Sequence, residues 1–206
     1  MDTRKNSPRD RGVDALFPIA PDALARLHEQ LEHRAQRDGL VDIAYRTVDS
    51  PVGTLLLAST ERGLIRVAYH SEQFDRVLDA LAAKISPRVL RMPSRLDGPA
   101  RQLDEYFTGH RRVFELPLDY SLSAGFRQTV QHYLPHIGYG HTATYKQVAE
   151  SVGNPRAVRA VGTACATNPL PVVVPCHRVV RSDGGLGGYI GGLDAKTTLL
   201  HLEAAI

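Results

Sequence analysis

The sequence predicts an α+β protein: a small sheet-and-helix domain over residues 43–120, then a mainly helical domain over 121–206, with an extension over residues 1–42. Three observations predict it. Strand-like apolar segments crowd between Ile43 and Tyr69, separated by short connections that carry Pro and Gly. Beyond Ser121 the apolar residues recur mainly at helical spacing. Within that second part, Pro175-Cys176-His177-Arg178-Val179-Val180 follows the apolar run Val172-Val173-Val174 and precedes six glycines between Gly184 and Gly192. A cysteine beside a histidine, reached by a buried apolar segment and roofed by flexible backbone, reads as a nucleophile in a closed pocket.

Taken in order, residues 1–21 are rich in Arg, Asp, Pro and Ser without apolar periodicity and read largely as a mobile tail. From Asp22 to Asp38, Leu24, Leu27 and Leu31 recur at three- and four-residue spacing. That marks an amphipathic helix packed on the core and ended by Gly39. Strands are expected over Ile43–Val48, Thr54–Ser59 and Leu64–Tyr69, forming an antiparallel meander. Helices follow over Phe74–Ile85 and Asp97–Phe107, then a strand over Arg112–Leu118. Residues 43–120 show no catalytic constellation, so their expected work is structural.

Ser123–Ile137 predicts one helix. Thr144 is the expected N-cap of a second, with Gln147 at the capping-box position. That helix stops near Gly153, and Asn154-Pro155 restarts the chain as N-cap and first residue of a third, over Arg156–Thr167. Two short helices joined by a Gly-Asn-Pro turn form a helix-turn-helix pattern. The third is nearly bare, with Ala157, Ala160, Gly162, Ala164, Cys165 and Ala166. Its residues suit either close packing within the domain or the narrow minor groove of DNA.

Composition bounds the partners. From Ser121 to Ile206 there are seven basic residues against four acidic ones, while the first 120 residues balance to zero. A polyanion, if bound, binds the C-terminal part; a slightly basic solvated face fits the charge equally well. Two cysteines, Cys165 and Cys176, are too few for a secreted disulfide framework, and no apolar stretch is long enough to span a membrane. A cytoplasmic protein with free thiols and no membrane partner is expected. The glycines spell neither phosphate-loop template, since Ala195 precedes Lys196 where glycine is required. That disfavours ATP and NAD.

The run from Thr144 to Leu202 resembles the C-terminal domain of the O6-alkylguanine-DNA alkyltransferase family. The shared pattern is a Tyr-initiated helix, an Asn-Pro turn, Arg-Ala-Val-Gly, Asn-Pro before an apolar strand, Pro-Cys-His-Arg-Val-Val, a Gly-Tyr loop and a final helix. Cys165 with its alanine neighbours and Val-Val-Pro before Cys176 are most like bacterial members. Ser50-Pro51-Val52-Gly53 is similar, less specifically, to the opening of the family's smaller N-terminal domain, which implies an RNase H-like fold there.

The resemblance implies DNA repair by direct reversal, in which an alkyl group moves from O6-alkylguanine to Cys176 in one irreversible turnover. The chemistry agrees, because displacement at carbon needs a soft nucleophile and a thiolate is the best that a protein has. His177 is the neighbouring base; adjacent side chains in an extended segment point apart, so either the backbone turns there or a water bridges them. Glu203 matches the family's imidazole-orienting carboxylate. Tyr145 is implied as donor to a guanine ring nitrogen, Tyr189 and the Ile190 N–H as donors to the departing oxygen, and the Cys176 and Val179 carbonyls as acceptors of the guanine amino group. Arg159 matches the arginine that fills the space of the flipped base, with Ala157, Ala160 and Gly162 in the minor groove of double-stranded DNA. Asn168 matches the asparagine that ties this helix to the active-site turn.

The family also implies no cofactor, and a monomer in solution is expected. Ile190 stands where relatives often carry serine, and Gln131 where many carry tryptophan. No cysteine precedes Cys165, so the thiolate zinc site of some relatives is not expected; His132 and His136 have helical metal-pair spacing without evident partner ligands. Two alternatives remain: a non-enzymatic sensor of alkylated DNA, which would replace the nucleophile, and a Cys-His-Glu hydrolase, which would turn over.

Overall fold

A computed structural model describes residues 21–204 of the chain, so the expectation for residues 1–20 lies outside the described residues. The chain divides into a unit ending at Leu40 and a second beginning at Val41. In the first, helix α1 spans Pro21–Arg37 and Gly39, at φ 61°, closes it in the left-handed conformation. Leu24, Leu27 and Leu31 lie along one stripe of this helix and are 61%, 59% and 51% exposed.

The second unit starts with strands β1 (Ile43–Val48), β2 (Leu55–Thr60) and β3 (Gly63–Tyr69), antiparallel in sequence order as predicted. The meander gains a fourth strand, β4 (Val89–Arg91), which lies parallel to β1 and makes the order β3-β2-β1-β4. Its three residues between Pro87 and Pro93 are too short for a periodic signal. The run Leu55-Leu56-Leu57-Ala58 is wholly buried because both sheet faces are covered. Helix α2 (Phe74–Lys84) presents Val77 and Leu81 to Ile43, Leu56, Ala58, Ile65 and Ala68. The turn Pro93–Leu96, leading into helix α3 (Asp97–Phe107), packs against β1 and β2.

Residues 112–118 do not form the expected strand; one bridge, Leu64 to Leu118, is all that joins them to the sheet. Pro117 has no N–H to extend a ladder, and its carbonyl instead accepts from Leu64 N at 2.8 Å. The approach is so close that a Cβ at Gly63, whose φ is 137°, would fall 2.2 Å from that carbonyl oxygen.

The expected helix over Ser123–Ile137 is shorter: α4 spans Gly125–Tyr133, and Pro135 tightens Leu134–His136 into a 3-10 turn. Helix α5 (Tyr145–Ser151) begins as predicted, with the Thr144 hydroxyl accepting from Gln147 N and Gln147 Oε1 accepting from Thr144 N. Helix α6 spans Val158–Ala166 and starts later than expected, because Asn154 O accepts from Ala157 N in a turn through Pro155. The α4 and α6 axes are joined where Gln131 Nε2, fully buried, donates to Ala164 O at 3.2 Å. A short parallel pair, β5 (Ala143–Thr144) with β6 (Val179–Val180), ties α5 to the Cys-His segment, and α7 (Gly192–Leu202) closes the chain. Among the described residues, no helix is long and apolar enough to cross a membrane.

Candidate active site

The segment before Cys176 is not the apolar strand that the resemblance implied. Residues 171–175 form consecutive turns, with Val172 at φ 72°, and Cys176–Arg178 is a single 3-10 turn. All of residues 171–179 are buried. The turn resolves the geometry between adjacent side chains: three residues per turn spread the Cys176, His177 and Arg178 side chains around one axis instead of on opposite faces.

Asn168 holds this turn. Its Nδ2 donates to Val174 O at 2.8 Å and to Cys176 Sγ at 3.1 Å, and its Oδ1 accepts from Leu170 N at 3.0 Å. Its own N–H donates to Cys165 O at the end of α6, so one buried amide connects that helix to the thiol.

His177 is fully buried, and its Nε2 lies 2.9 Å from Glu203 Oε1. Glu203 also accepts from Arg178 Nε at 2.8 Å, from Arg178 Nη2 at 2.9 Å and from the Tyr106 hydroxyl at 2.6 Å. Burial opposes its charge, but the donors from His177, Arg178 and Tyr106 outweigh burial and pull its pKa down to about 2. Burial pulls the His177 pKa below its ordinary value, against the support of Glu203. The imidazole is therefore neutral at rest, with Nε2–H on the carboxylate and Nδ1 as acceptor. Nδ1 has no hydrogen-bond partner among the described residues.

The Cys176 thiol is 2% exposed, and burial pushes its pKa up to about 11, with Asn168 and the Lys196 charge pulling the other way. The thiol is protonated at neutral pH and needs a base at the moment of reaction. Lys196 is fully buried on α7 and donates from Nζ to Val179 O at 2.6 Å and to Leu186 O.

The expected substrate-side residues gather around the glycine loop. Tyr145 is half-buried at the start of α5, and its hydroxyl lies where a Cβ on Gly187 would come within 2.7 Å. The Tyr189 ring stands edge-on to His177, with centroids 6.4 Å apart, but its hydroxyl pairs with Tyr69 at 3.0 Å. The Ile190 N–H has no protein acceptor among the described residues. The Val179 carbonyl already accepts from Lys196, and the Cys176 carbonyl from Val179 N, leaving each a second lone pair. On α6, Arg159 and Ala160 are exposed and Gly162 is half-buried, as is Ala157 just before the helix. His132 and His136 are exposed, and the His132 ring lies 3.9 Å from that of Tyr120.

Sequence reasoning missed Tyr69, Tyr106, Arg178 and Lys196 as parts of the site. Lys196 carried a signal: with Ala195, Leu199 and Leu200 it repeats at helical spacing, which puts a lysine on the buried face of α7.

A buried thiol and its histidine–carboxylate relay, joined through one asparagine to the second helix of a helix-turn-helix, define a nucleic-acid-directed protein with a cysteine nucleophile. Family models agree along the chain: the ribonuclease-like domain of 6-O-methylguanine DNA methyltransferase matches residues 43–120, and its DNA binding domain matches residues 125–205. The chain belongs to the 6-O-methylguanine DNA methyltransferase family. It is 40% identical to a methylated-DNA–protein-cysteine methyltransferase of Methanosarcina barkeri, covering 77% of this chain and 96% of that one. A namesake from Mycolicibacterium paratuberculosis is 42% identical, covering 78% and 92%. The crystal structure of Mycobacterium tuberculosis OGT in complex with DNA superposes with a TM-score of 0.69 at 36% identity, over 79% of this chain and 93% of that one.

Proposed function

We propose that this protein repairs DNA by direct reversal, acting as a methylated-DNA–protein-cysteine S-methyltransferase whose acceptor is Cys176. The observation that carries the residue assignment is the pair of hydrogen bonds Asn168–Cys176 and His177–Glu203, brought together on one buried turn. A water held between Cys176 Sγ and His177 Nδ1 accepts the thiol proton as Nδ1 takes one, and Glu203 stabilises the imidazolium that results. The sulfur forms a bond to the alkyl carbon while the carbon–O6 bond breaks, and its electron pair leaves on guanine. The Tyr145 hydroxyl donates a hydrogen bond to a guanine ring nitrogen, and the Ile190 N–H stabilises the oxygen. The thioether that forms has no route back to thiol, so each molecule acts once.

The alkylated base reaches the buried thiol only by leaving the duplex. In this reading residues 43–120 support the site and residues 121–206 bind DNA and transfer the group. Arg159 enters the stack in place of the flipped base, and Ala157, Ala160 and Gly162 let α6 sit close in the minor groove. The protein works in the cytoplasm, a reading supported by its two free thiols, and as a monomer. A sensor would lack the nucleophile that Cys176 supplies, and a hydrolase would regenerate it. Following lesion loss against protein added to O6-methylguanine duplex separates these. One lesion removed per molecule, then no more, is expected; multiple turnover or an untouched lesion contradicts the proposal.

A further inference from the structure

The Tyr189 hydroxyl is engaged by a residue that lies outside the expected DNA-binding and transfer region. Tyr69 ends β3, opposite Leu55, and is 3% exposed. Its backbone N–H donates to Glu72 Oε1 at 2.9 Å, and Glu72 is itself ion-paired with Arg66, so the residue is fixed from both sides. The Tyr69 and Tyr189 rings meet edge-to-face at 5.8 Å with their hydroxyls 3.0 Å apart. The loop backbone rests directly on the Tyr69 ring, since a Cβ at Gly191 would lie 2.5 Å from it.

Two tyrosine rings bear on the glycine loop, which Lys196 also holds through the Leu186 carbonyl. Tyr145 abuts Gly187 and Tyr69 abuts Gly191, while Gly188 between them meets nothing that would resist a Cβ. Without such supports a segment with this many glycines would move readily. Held in place, it keeps the Tyr189 ring 6.4 Å from His177, the neighbour of a cysteine that is 2% exposed. An alkyl group delivered to Cys176 needs room beside that ring, and the tolerated size follows from how far the Tyr189 wall can retreat. The wall cannot retreat into space that the Tyr69 ring fills.

We infer that Tyr69 is a specificity-determining positioning residue, which restricts the reaction to small alkyl groups by holding Tyr189 and the Gly191 turn over Cys176. The inference rests on the transfer reading above. Tyr69 touches no reacting atom in this account; it sets the room available to the group being moved.

The test compares rates of Cys176 alkylation by duplex DNA carrying O6-methylguanine and by the same duplex carrying O6-benzylguanine, for wild type, Tyr69→Leu and Tyr69→Phe. The readout is the benzyl-to-methyl ratio within each preparation, from which partial unfolding cancels. Tyr69→Leu should raise the ratio about tenfold, the scale on which pocket volume discriminates apolar groups. Tyr69→Phe, which keeps the ring and loses the hydroxyl pair, should raise it by a smaller factor. If Tyr69→Leu does not fold, Tyr69→Phe decides alone. Ratios within about twofold of wild type in every folded variant would overturn the inference, since a purely structural residue slows both reactions together. Wild type that alkylates Cys176 with neither duplex would instead overturn the transfer reading.

Discussion

The Tyr106 hydroxyl donates to Glu203 Oε1 at 2.6 Å, and both residues are buried. Glu203 also receives His177 and Arg178, so a residue of α3 helps hold the carboxylate to which His177 is bonded. Tyr106→Phe removes one donor to a buried carboxylate and should cost about 1–3 kcal/mol of stability by chemical denaturation. The Glu203 pKa is depressed to about 2, so its stabilisation is fully present above the ordinary carboxylate pKa and is lost as pH falls from there through about 2. Tyr106→Phe should move this acid loss to higher pH. An unchanged acid transition would show that the phenol does not support the charge.

His177 is held neutral by burial while the thiol is raised to about 11. Wild-type alkylation should therefore be level from neutral pH into the mild alkaline range, falling in acid as His177 protonates. In His177→Gln the rate should drop by about 10²–10⁴-fold. What remains should climb with pH toward the thiol pKa, because hydroxide must then ionise Cys176 unaided. A pH–rate profile of each protein with free O6-methylguanine reads this without DNA binding.

Arg159 is exposed on α6, away from the thiol's own hydrogen bonds. Its removal should act on duplex handling alone. Arg159→Ala is expected to slow repair of duplex O6-methylguanine by about tenfold or more, a small share of the unstacking cost of base flipping, and to leave reaction with the free base nearly unaltered. Equal losses on both substrates would make Arg159 a structural residue.

Gly63 combines φ 137° with the Pro117 carbonyl pressed against it. Gly63→Ala should destabilise the protein by on the order of 3 kcal/mol, measured by denaturant unfolding, since backbone strain and a clash with main chain both oppose it.

Local physics was legible in the sequence and distant physics was not. The Thr144–Gln147 capping box is decided within four residues, and it stands as read. The start of α6 was misplaced because a turn at Asn154-Pro155 and an N-cap share the same residue types. Asn168 bonds to Cys176 and His177 to Glu203, pairs that the family pattern names, whereas Tyr106 reaches Glu203 from 97 positions away and left no local sign. In α3, Tyr106 and Phe107 lie three and four residues after Leu103, and spacing alone does not say which one turns inward. Tyr69 closes a β-strand pattern, and nothing in that pattern speaks of a loop 120 residues onward.

The most direct test of the account digests the protein after incubation with duplex DNA bearing a single O6-methylguanine and weighs the peptide that contains Cys176. One added methyl group on that peptide, none on the Cys165 peptide, and an equal amount of restored guanine is the predicted result. An unmodified Cys176 peptide alongside repaired DNA, or alongside intact lesion, would contradict it.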